Sequence, residues 1–472
     1  MQRKRLRAQR NTHKRENDTI ATITTPLGEG GIGVIQVSGP GALEVVDKTF
    51  KEKRGGGISG ASSGELFYGT VVDSETSALI DEAIVSVWRS EDSLTWEDLV
   101  EVNCHGGPRA VKNTLDAIIQ AGAKEASWAE FLERGLKNAR MDFIQLEAQE
   151  ALIQAKTRLS VKVLLAQHQG LLSQCISRLY AEIDEITDKN ANGFIDKSVH
   201  KEVSNKLALL LNGFDELLDS SAFGIALSSP LKVSIAGPPN VGKSTLFNTL
   251  LGEERAIVHH APGTTRDYVS EYFSAHGAPF ELVDSAGLRE AHDHVERDGV
   301  ERAHTLHKYV DKIILVLDGS REISEKEWAL IRNLDTEKVI PVINKIDLGV
   351  TLDTGVLETM FDGPICRISA LKGLGLGSLE KALVSKFLPY IDCYETNHQP
   401  QPAVFTERQQ SVLSQARGVA SEILETFAHA NTLDSKALNV VKDKLKEFRY
   451  GPGCGMSQKN SQRVAHAIDV QD

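Results

Sequence analysis

The chain has 472 residues, of which 41% are hydrophobic and 25% are charged, a composition typical of a globular protein with a length that corresponds to about three domains. No run approaches the roughly eighteen uninterrupted apolar residues of a membrane span, so we expect a soluble, cytoplasmic protein. The net charge of −12 argues against a protein that coats nucleic acid non-specifically, and any contact with RNA should be focal.

Residues 1–17 form a strongly basic segment in which Glu16 is the only acidic residue. Because the segment lacks the hydrophobic region of a secretory signal, we expect a disordered extension, with a mitochondrial or chloroplast address as the alternative. The five cysteines of the chain are widely scattered and include no C-x-x-C pair. This pattern predicts reduced thiols rather than disulfides or zinc ligands.

Residues 18–135 are predicted to form an α+β domain, because several short β-rich segments precede one amphipathic helix. The segments are TIATITT, GVIQVSG, YGTVVD, EAIVSVW and LVEVNCHGG, and the helix is RAVKNTLDAIIQAG. Gly28, Gly30 and Gly33 spell G-x-G-x-x-G, but this stretch joins two apparent strands and does not lead into a helix. We therefore interpret it as a hairpin-like turn rather than a dinucleotide site.

Two further regions, residues 136–227 and 389–472, carry apolar side chains at helical spacing. In the first region these are Leu164, Leu171, Cys175, Leu179, Val203, Leu207, Leu210, Phe214 and Leu217. In the second they are Val412, Val419, Ile423, Phe427, Val441, Leu445 and Phe448. Since each apolar stripe needs a partner, we expect the two regions to pack together as one helical bundle.

Residues 228–388 lie between these helical regions and alternate apolar strand candidates with helices. The strand candidates are LKVSIAG, FELVD, KIILVLD, KVIPVIN and ICRIS. This alternation predicts a doubly wound α/β sheet, which binds its ligands at the carboxyl ends of the strands. The predicted fold is therefore an α/β domain inserted into a helical bundle, after an α+β N-terminal domain.

The stretch from Gly237 to Ser244 reads GPPNVGKS and has the spacing G-x-x-x-x-G-K-S of a P-loop. In such a loop the backbone amides cradle phosphate oxygens, Lys243 neutralises them, and the Ser244 hydroxyl ligates Mg²⁺. A strand precedes the stretch and a helix follows it, as a phosphate site requires. The residues that we expect to contact the phosphates are Asn240, Val241, Gly242, Lys243, Ser244 and Thr245.

Three later segments follow strand candidates in the order of a GTP site. The first is Asp284-Ser285-Ala286-Gly287, where a carboxylate can hold Mg²⁺ through water and a glycine amide can sense the γ-phosphate. The second, Asn344-Lys345-Ile346-Asp347, offers the Asp347 carboxylate to the N1–H and 2-amino groups of guanine. The third supplies backbone to the guanine carbonyl and consists of Ser369, Ala370 and Leu371.

The segments GTTRD (residues 263–267) and DSAGLRE (residues 284–290) resemble the translation-factor-like GTPases, in particular the tRNA-modification GTPase MnmE (TrmE) family. The resemblance covers most of residues 18–450 and implies a P-loop GTPase domain within a helical bundle, after a folate-binding-like domain. It also implies a homodimer formed through the N-terminal domain. With an FAD-containing partner, MnmG, such a dimer modifies the wobble uridine of tRNA, using a 5-formyl- or methylene-tetrahydrofolate as one-carbon donor.

The resemblance also implies how GTP is hydrolysed. Many GTPases orient the attacking water with a glutamine where this chain has Leu288, which can neither donate nor accept a hydrogen bond. In the family a switch glutamate acts instead through a second water, and Glu296 matches it. The family binds K⁺ in place of an arginine finger when two GTPase domains meet, and Thr265 joins Ser244 on Mg²⁺. The positions that match the K⁺ ligands are Asn240, His259, Ala261 and Thr264.

The chain departs from the family outside the GTPase domain. At the folate site Gln36 replaces an arginine and removes a cation from the folate tail, Glu101 matches the family glutamate, and Arg140 replaces a lysine. The family ends in C-[IV]-G-K, whereas Cys454 is followed here by Gly455 and Met456. A frame shift, a gene-model error and a real divergence all agree with this tail.

Two functional hypotheses remain. The first is a dimeric GTP hydrolase that acts in tRNA wobble-uridine modification and needs Mg²⁺ and K⁺. The second is a GTP-dependent conformational switch that has lost the folate-linked chemistry. A generic ribosome-assembly GTPase is less favoured, because it would not explain the N-terminal domain and the flanking helices.

Overall fold

The computed structural model describes residues 18–189, 197–252, 271–283, 309–396, 400–430 and 433–452. The described chain forms two compact units, one that ends at Asp142 and one that begins at Phe143. No helix in the described ranges is long and apolar enough to cross a membrane.

Within residues 18–142, the first unit consists of a seven-stranded sheet and three helices. In chain order the elements are β1 (Ile20–Ile23), β2 (Ile32–Ser38), α1 (Ala42–Thr49), β3 (Phe50–Glu52), β4 (Leu66–Val72), β5 (Leu79–Trp88), β6 (Leu99–His105), α2 (Pro108–Gln120), β7 (Lys124–Glu125) and α3 (Trp128–Lys137).

The sheet of the first unit has the strand order β3-β4-β5-β6-β2-β1-β7. Alternate residues of its central strands, such as Ile35, Val85 and Val102, are buried against α1 and α2. β1 pairs with β2 in antiparallel register, with Ile23 opposite Ile35, so the glycine-rich stretch joins two paired strands. This confirms the hairpin-like turn and the α+β class, whereas α1, α3 and the short edge strands were not predicted.

The second unit begins with five helices in its described part. They are α4 (Phe143–Gln154), α5 (Arg158–His168), α6 (Leu171–Lys189), α7 (Lys197–Asp219) and α8 (Ser221–Ser228). An α/β region follows, with β8 (Leu231–Ala236), α9 (Lys243–Leu250), β9 (Glu271–Ala275), β10 (Ala278–Val283), β11 (Lys312–Asp318), α10 (Glu325–Ile331), β12 (Val339–Asn344), α11 (Gly355–Met360), β13 (Cys366–Arg367) and α12 (Leu376–Leu383). The final described helices are α13 (Leu388–Thr396), α14 (Glu407–Ala430) and α15 (Ser435–Tyr450).

The helices on either side of the α/β region share one apolar core, as the sequence predicted. α7 packs against α14, and α15 packs against α6 and α4. Leu207 and Phe214 from the first helical region and Phe427 and Leu445 from the second are all at most 1% exposed within this core. Because residues far apart in the sequence fill one core, the α/β region is inserted into a single bundle.

The sheet of the α/β region has the order β13-β12-β11-β8-β10-β9. Its strands are parallel except β9, which pairs antiparallel with β10 and was not predicted. The two-residue turn between them, His276-Gly277, has positive φ at both positions (45° and 82°), the geometry of a tight hairpin. Val233 and Ser234 are both buried in β8, because helices cover both faces of this sheet.

The α/β region is joined to the helical bundle by packing on α5 and α8. A Cβ atom at Gly277 would lie 3.2 Å from the Leu159 Cβ atom, and the Lys156 Nζ atom lies 5.1 Å from the centre of the Tyr272 ring. One apolar cluster contains Val163 and Phe223 of these helices together with sheet residues. The sheet therefore rests on the bundle through its β9–β10 side.

Candidate nucleotide site

The loop between β8 and α9 depends on two glycines with positive φ. Gly237 has a φ of 141°, and a Cβ atom there would lie 2.2 Å from the Val316 carbonyl oxygen. Gly242 has a φ of 98°, and a Cβ atom there would lie 2.3 Å from the Asn344 Nδ2 atom. Both clashes would move the loop away from the neighbouring strands, so the glycine spacing is a backbone requirement.

Lys243 is the first residue of α9, and its ammonium group folds back over the loop. Its Nζ atom donates to the carbonyl oxygens of Gly237 at 2.9 Å and Pro238 at 2.6 Å. Burial lowers the pKa of this ammonium from its ordinary value. Ser244 is exposed and Thr245 is half-buried in the same first turn. The first turn of α9 therefore contains a cation and two residues with hydroxyl groups, beside the backbone amides of a helix N-terminus.

Two carbonyl groups of the loop are held from the neighbouring strand β12. The Asn344 Nδ2 atom donates to the Val241 oxygen at 2.8 Å, and the Lys345 Nζ atom donates to the Asn240 oxygen at 2.7 Å. In a planar trans peptide the carbonyl and the amide hydrogen point in opposite directions. The amides of Val241 and Gly242 are therefore turned away from β12 and remain available for an anion.

Asn344 joins this loop to the next one. It is 3% exposed, and its Oδ1 atom accepts a hydrogen bond from the Ala370 amide at 2.9 Å. The Thr249 hydroxyl of α9 donates to the Ala370 carbonyl oxygen at 3.1 Å. The sequence predicted Asn344 as a nucleotide contact, and the structure places it as a buried bridge between the two loops.

Asp347 lies after β12 with its side chain 10% exposed. A hydrogen bond with Ser369 lowers the pKa of this carboxyl group, and the Lys372 ammonium, 3.8 Å from Oδ2, acts in the same direction. The carboxylate is therefore ionised near neutral pH and can accept two donors. The exposed leucines Leu348 (68%) and Leu371 (80%) lie in the same two loops and offer apolar surface to a flat ring.

The backbone of the loop at residues 369–371 is already partly engaged. The Ser369 amide donates to the Leu374 oxygen at 3.0 Å, and the Ala370 amide donates to Asn344. In this conformation the Leu371 amide is the one of the three that can make the predicted backbone contact with a base carbonyl. The structure thus brings together the predicted residues from Asn240 to Thr245, Asn344 to Asp347, and Ser369 to Leu371.

Asp318, the last residue of β11, belongs to the same cluster and was not predicted. Its Oδ2 atom lies 2.6 Å from the Lys345 Nζ atom, and its Oδ1 atom accepts from the Ser320 amide at 3.0 Å and hydroxyl at 2.6 Å. The signal was present, since the strand KIILVLD ends in a carboxylate at the edge where the other motifs lie.

Nine predicted residues lie outside the described residues. They are His259, Ala261, Thr264, Thr265, Asp284, Ser285, Ala286, Gly287 and Glu296. The basic segment 1–17 and the tail that contains Cys454 also lie outside them. The four cysteines in the described part of the chain are free.

Comparisons with known proteins identify related sequences. Two family models match: GTP-binding protein TrmE N-terminus over residues 19–140 and 50S ribosome-binding GTPase over residues 232–345. The solved G domain of the T. maritima FeoB iron transporter is 30% identical, covers 33% of this chain and 98% of its own, and has a TM-score of 0.25, too low to indicate a shared overall architecture.

Two curated relatives cover nearly the whole chain. The tRNA modification GTPase MnmE of Bacillus licheniformis is 37% identical over 433 residues, which are 90% of this chain and 94% of the relative. The protein of the same name from Staphylococcus aureus is 33% identical over 442 residues, which are 90% of this chain and 93% of the relative. The chain belongs to the tRNA modification GTPase MnmE family. Its fold class, predicted from sequence, is confirmed by these matches.

A second candidate site of this MnmE family member lies on the sheet of the first unit. Gln36 and Glu101 are directly opposite each other on β2 and β6, and the Gln36 Nε2 atom donates to Glu101 Oε1 at 2.8 Å. The other oxygen of Glu101 accepts from the Ser86 hydroxyl at 3.1 Å and from the Trp88 ring nitrogen at 3.4 Å. These side chains form one hydrogen-bonded row across three strands.

Arg140, the third residue predicted for this site, lies in the turn after α3. Its side chain is exposed, and its amide donates to the Gly135 oxygen at 2.8 Å. The hydrogen bonds that join Gln36 to Glu101 do not involve Arg140. Within the described part of the chain, the Gln36 Oε1 atom is buried without a hydrogen-bond partner. A buried acceptor of this kind fits a ligand that brings an N–H donor.

Proposed function

We propose that this chain is a GTP hydrolase that acts in the modification of the tRNA wobble uridine. The observation that carries this proposal is the connection of the glycine loop to Ala370 through the buried side chain of Asn344, beside Asp347, whose carboxyl group is hydrogen-bonded to Ser369. This arrangement places an anion cradle and a base-reading carboxylate at the same edge of one sheet. Membership of the MnmE family supports hydrolysis of GTP and a role in tRNA modification.

The phosphates of GTP are bound by the amides from Asn240 to Thr245, at the N-terminus of α9. When GTP is bound, Lys243 contacts phosphate oxygens in place of the carbonyl oxygens of Gly237 and Pro238. The negative charge of the phosphates then balances the positive charge of its half-buried ammonium. The exposed Ser244 hydroxyl fits an Mg²⁺ ligand, together with Thr265 and, through water, Asp284. Mg²⁺ supplies charge stabilisation for the β- and γ-phosphates.

Guanine is selected by Asp347, whose ionised carboxylate accepts the N1–H and the 2-amino group. Adenine lacks this pair of donors and would leave the carboxylate without partners. Leu348 and Leu371 cover the faces of the ring, and the Leu371 amide donates to the base carbonyl. Selectivity therefore depends on the loops that Asn344 holds next to the phosphate cradle.

Hydrolysis requires an oriented water and additional positive charge near the β–γ bridge. We assign the first task to Glu296, since Leu288 cannot hydrogen-bond a water. We assign the second to K⁺, held by the Asn240 side chain with His259, Ala261 and Thr264 when two GTPase domains meet. Asn240 is exposed at the loop, and an amide oxygen is a suitable ligand for this ion.

The row Gln36–Glu101 is proposed to bind a tetrahydrofolate. The buried Gln36 Oε1 acceptor and the Glu101 carboxylate suit a ligand that carries several N–H donors, as this one does. Gln36 provides no cation for the carboxylate tail of the folate, so Arg140 is the remaining candidate for that contact. Folate supplies the one-carbon unit, in a dimer that acts on tRNA with the FAD-containing partner MnmG.

The proposal is tested by hydrolysis assays on the purified chain with GTP, ATP and XTP, in Mg²⁺ with either K⁺ or Na⁺. We expect a preference for GTP and faster turnover in K⁺ than in Na⁺. Wobble-uridine modification in a strain that lacks its own family member tests the cellular role. The relatives do not favour the alternative of a switch without modification chemistry. If the chain hydrolyses GTP but does not restore wobble-uridine modification, the proposed role in tRNA modification is wrong.

Glu296→Ala tests the hydrolytic assignment separately. Turnover should fall by about a hundredfold, while GTP affinity changes by less than about twofold, because the residue orients water rather than binding the nucleotide. Glu301→Ala, further along the same segment, is the matched control and should turn over GTP at the wild-type rate. A normal rate for Glu296→Ala would remove this residue from the mechanism.

A further inference from the structure

We infer that Asp318 is a positioning residue that sets the nucleotide affinity of the P-loop without touching the nucleotide, by holding Lys345 on the loop carbonyl of Asn240. The inference rests on the proposed function, because it concerns the same nucleotide site. It assigns a role to a carboxylate that lies outside the motifs recognised in the sequence.

The three groups form a continuous chain of short contacts. The Asp318 Oδ2 atom lies 2.6 Å from the Lys345 Nζ atom, which in turn lies 2.7 Å from the Asn240 carbonyl oxygen. The ammonium group therefore bridges a carboxylate at the end of β11 and the backbone of the P-loop. Such charge-assisted hydrogen bonds are about twice as strong as neutral ones.

The sheet register explains why these groups meet. Asp318 and Asn344 are paired residues at the carboxyl ends of the parallel strands β11 and β12. Lys345 follows with a φ of 66°, a left-handed conformation that turns the chain at the end of the strand. The ammonium of Lys345 returns across the sheet edge and reaches both Asp318 and Asn240.

The Asp318 carboxylate is held in place by groups other than Lys345. Its side chain is 9% exposed, and its Oδ1 atom is held by the amide and hydroxyl of Ser320. The Gly319 amide donates to the Asn344 oxygen at 2.8 Å, which ties the following turn to β12. Oδ2 is therefore presented in one direction, whereas the Lys345 side chain alone would have many rotamers.

The consequence for the P-loop follows from peptide geometry. Holding the Asn240 oxygen fixes the plane of the peptide that carries the Val241 amide, just as Asn344 fixes the next peptide. An amide that already points into the cradle needs no reorganisation when a phosphate is bound. Loosening the Asp318–Lys345 pair should therefore weaken GDP and GTP equally, since both nucleotides use the same part of the cradle.

A neighbouring ion pair provides a matched control. Glu327 pairs with Arg321 at 2.6 Å and caps the N-terminus of α10 through Ser324. It has a comparably short contact in the same region of the chain, and within the described residues its carboxylate bonds to Arg321 and Ser324 rather than to the P-loop. Glu327→Gln therefore removes an ion pair without releasing a loop carbonyl.

The experiment measures GDP and GTP dissociation constants for wild type, Asp318→Asn and Glu327→Gln, with thermal unfolding of each nucleotide-free chain. Asp318→Asn should raise both constants by about tenfold and leave the ratio of GTP to XTP affinity unchanged, because Asp347 is intact. Glu327→Gln should change them by less than about twofold. If Asp318→Asn does not fold, Ser320→Ala, which removes the hydroxyl donor to the same carboxylate, should raise both constants by a few fold.

A double-mutant cycle with Lys345→Met separates positioning from a general structural role. If Asp318 acts through Lys345, adding Asp318→Asn to Lys345→Met should weaken GDP binding by less than about twofold. A full tenfold effect in that background, or an unchanged constant for Asp318→Asn alone, would overturn the inference. Failure of the wild type to bind guanine nucleotides would instead overturn the proposed function.

Discussion

The two sheets of this chain carry their candidate functional residues in different places. In the six-stranded sheet these residues lie in loops at the carboxyl ends of parallel strands, from Asn240 to Leu371. In the seven-stranded sheet, which is antiparallel except for the β1–β7 pair, Gln36 and Glu101 lie within strands, opposite each other on one face. Loop residues form contiguous motifs, whereas face residues come together only through strand register.

This difference determines how each site tolerates change. A loop site depends on backbone conformation, so glycines and buried bridges such as Asn344 support it. A face site depends on pairs of side chains, so replacing one partner leaves the strand intact and changes only the chemistry. We therefore expect variants of the loop site to affect both binding and stability, and variants of the face site to affect binding alone.

The largest effect is expected for Lys243→Ala. The Lys243 ammonium bonds to the carbonyl oxygens of Gly237 and Pro238 and is proposed to contact phosphate oxygens instead when GTP is bound. Without this cation, kcat/KM for GTP should fall by about a thousandfold. Steady-state hydrolysis measures this loss. Lys232→Ala, an exposed lysine on β8, is the matched control and should leave turnover within about twofold. Normal hydrolysis by Lys243→Ala would reject the phosphate cradle.

Asp347→Asn should have the next largest effect. An amide in place of the carboxylate cannot accept both guanine donors, so GTP affinity should fall by about a hundredfold while XTP affinity rises. Competition between the two nucleotides measures the change. Asp353→Asn, a nearby exposed carboxylate, should retain the preference for GTP. If Asp347→Asn retains that preference as well, the base-reading role is wrong.

Asn344→Ala tests the bridge between the loops. It removes the donor to the Val241 oxygen and the acceptor of the Ala370 amide, which leaves two buried groups unpaired. We expect a loss of about 2 kcal/mol in the free energy of unfolding and about a tenfold weaker GDP affinity. Chemical denaturation and nucleotide titration measure the two quantities. A stability change without a change in affinity would show that the bridge does not serve the site.

Glu101→Gln should have the smallest effect on the stability of the chain and should selectively lower its affinity for folate. The variant keeps the shape of the side chain but replaces one acceptor oxygen with an amide donor, so affinity for 5-formyltetrahydrofolate should fall by about tenfold. Calorimetric titration measures it, with the exposed Glu82→Gln on β5 as control. Unfolding free energy should change by less than about 1 kcal/mol. An equal loss of folate affinity in the control would remove Glu101 from the site.

Some features could be read from local sequence alone. The glycine loop, Lys243 and the segments NKID and SAL are contiguous, and each carries its chemistry within a few residues. The apolar stripes of the helical regions also identified core positions such as Phe214 and Phe427, because helical spacing puts one face into the core. These patterns fixed the fold class and the family.

Other features depend on contacts that no local pattern encodes. The Asn344 side chain bonds to a loop 103 residues earlier, and Gln36 pairs with a glutamate 65 residues later. β9 was missed because its signal is a hairpin turn, His276-Gly277, rather than a hydrophobic run. The position of Asp318 beside Lys345 likewise follows from the register of two parallel strands.

The sequence by itself determined which residues can bind phosphate, read guanine and form cores, because these properties belong to side chains and short backbone motifs. Only the tertiary structure decided which carbonyl each side chain holds, which amides remain available, and which carboxylate fixes Lys345. The physical reason is that hydrogen bonds between strand ends require a defined register, and register is set by the packing of the whole sheet.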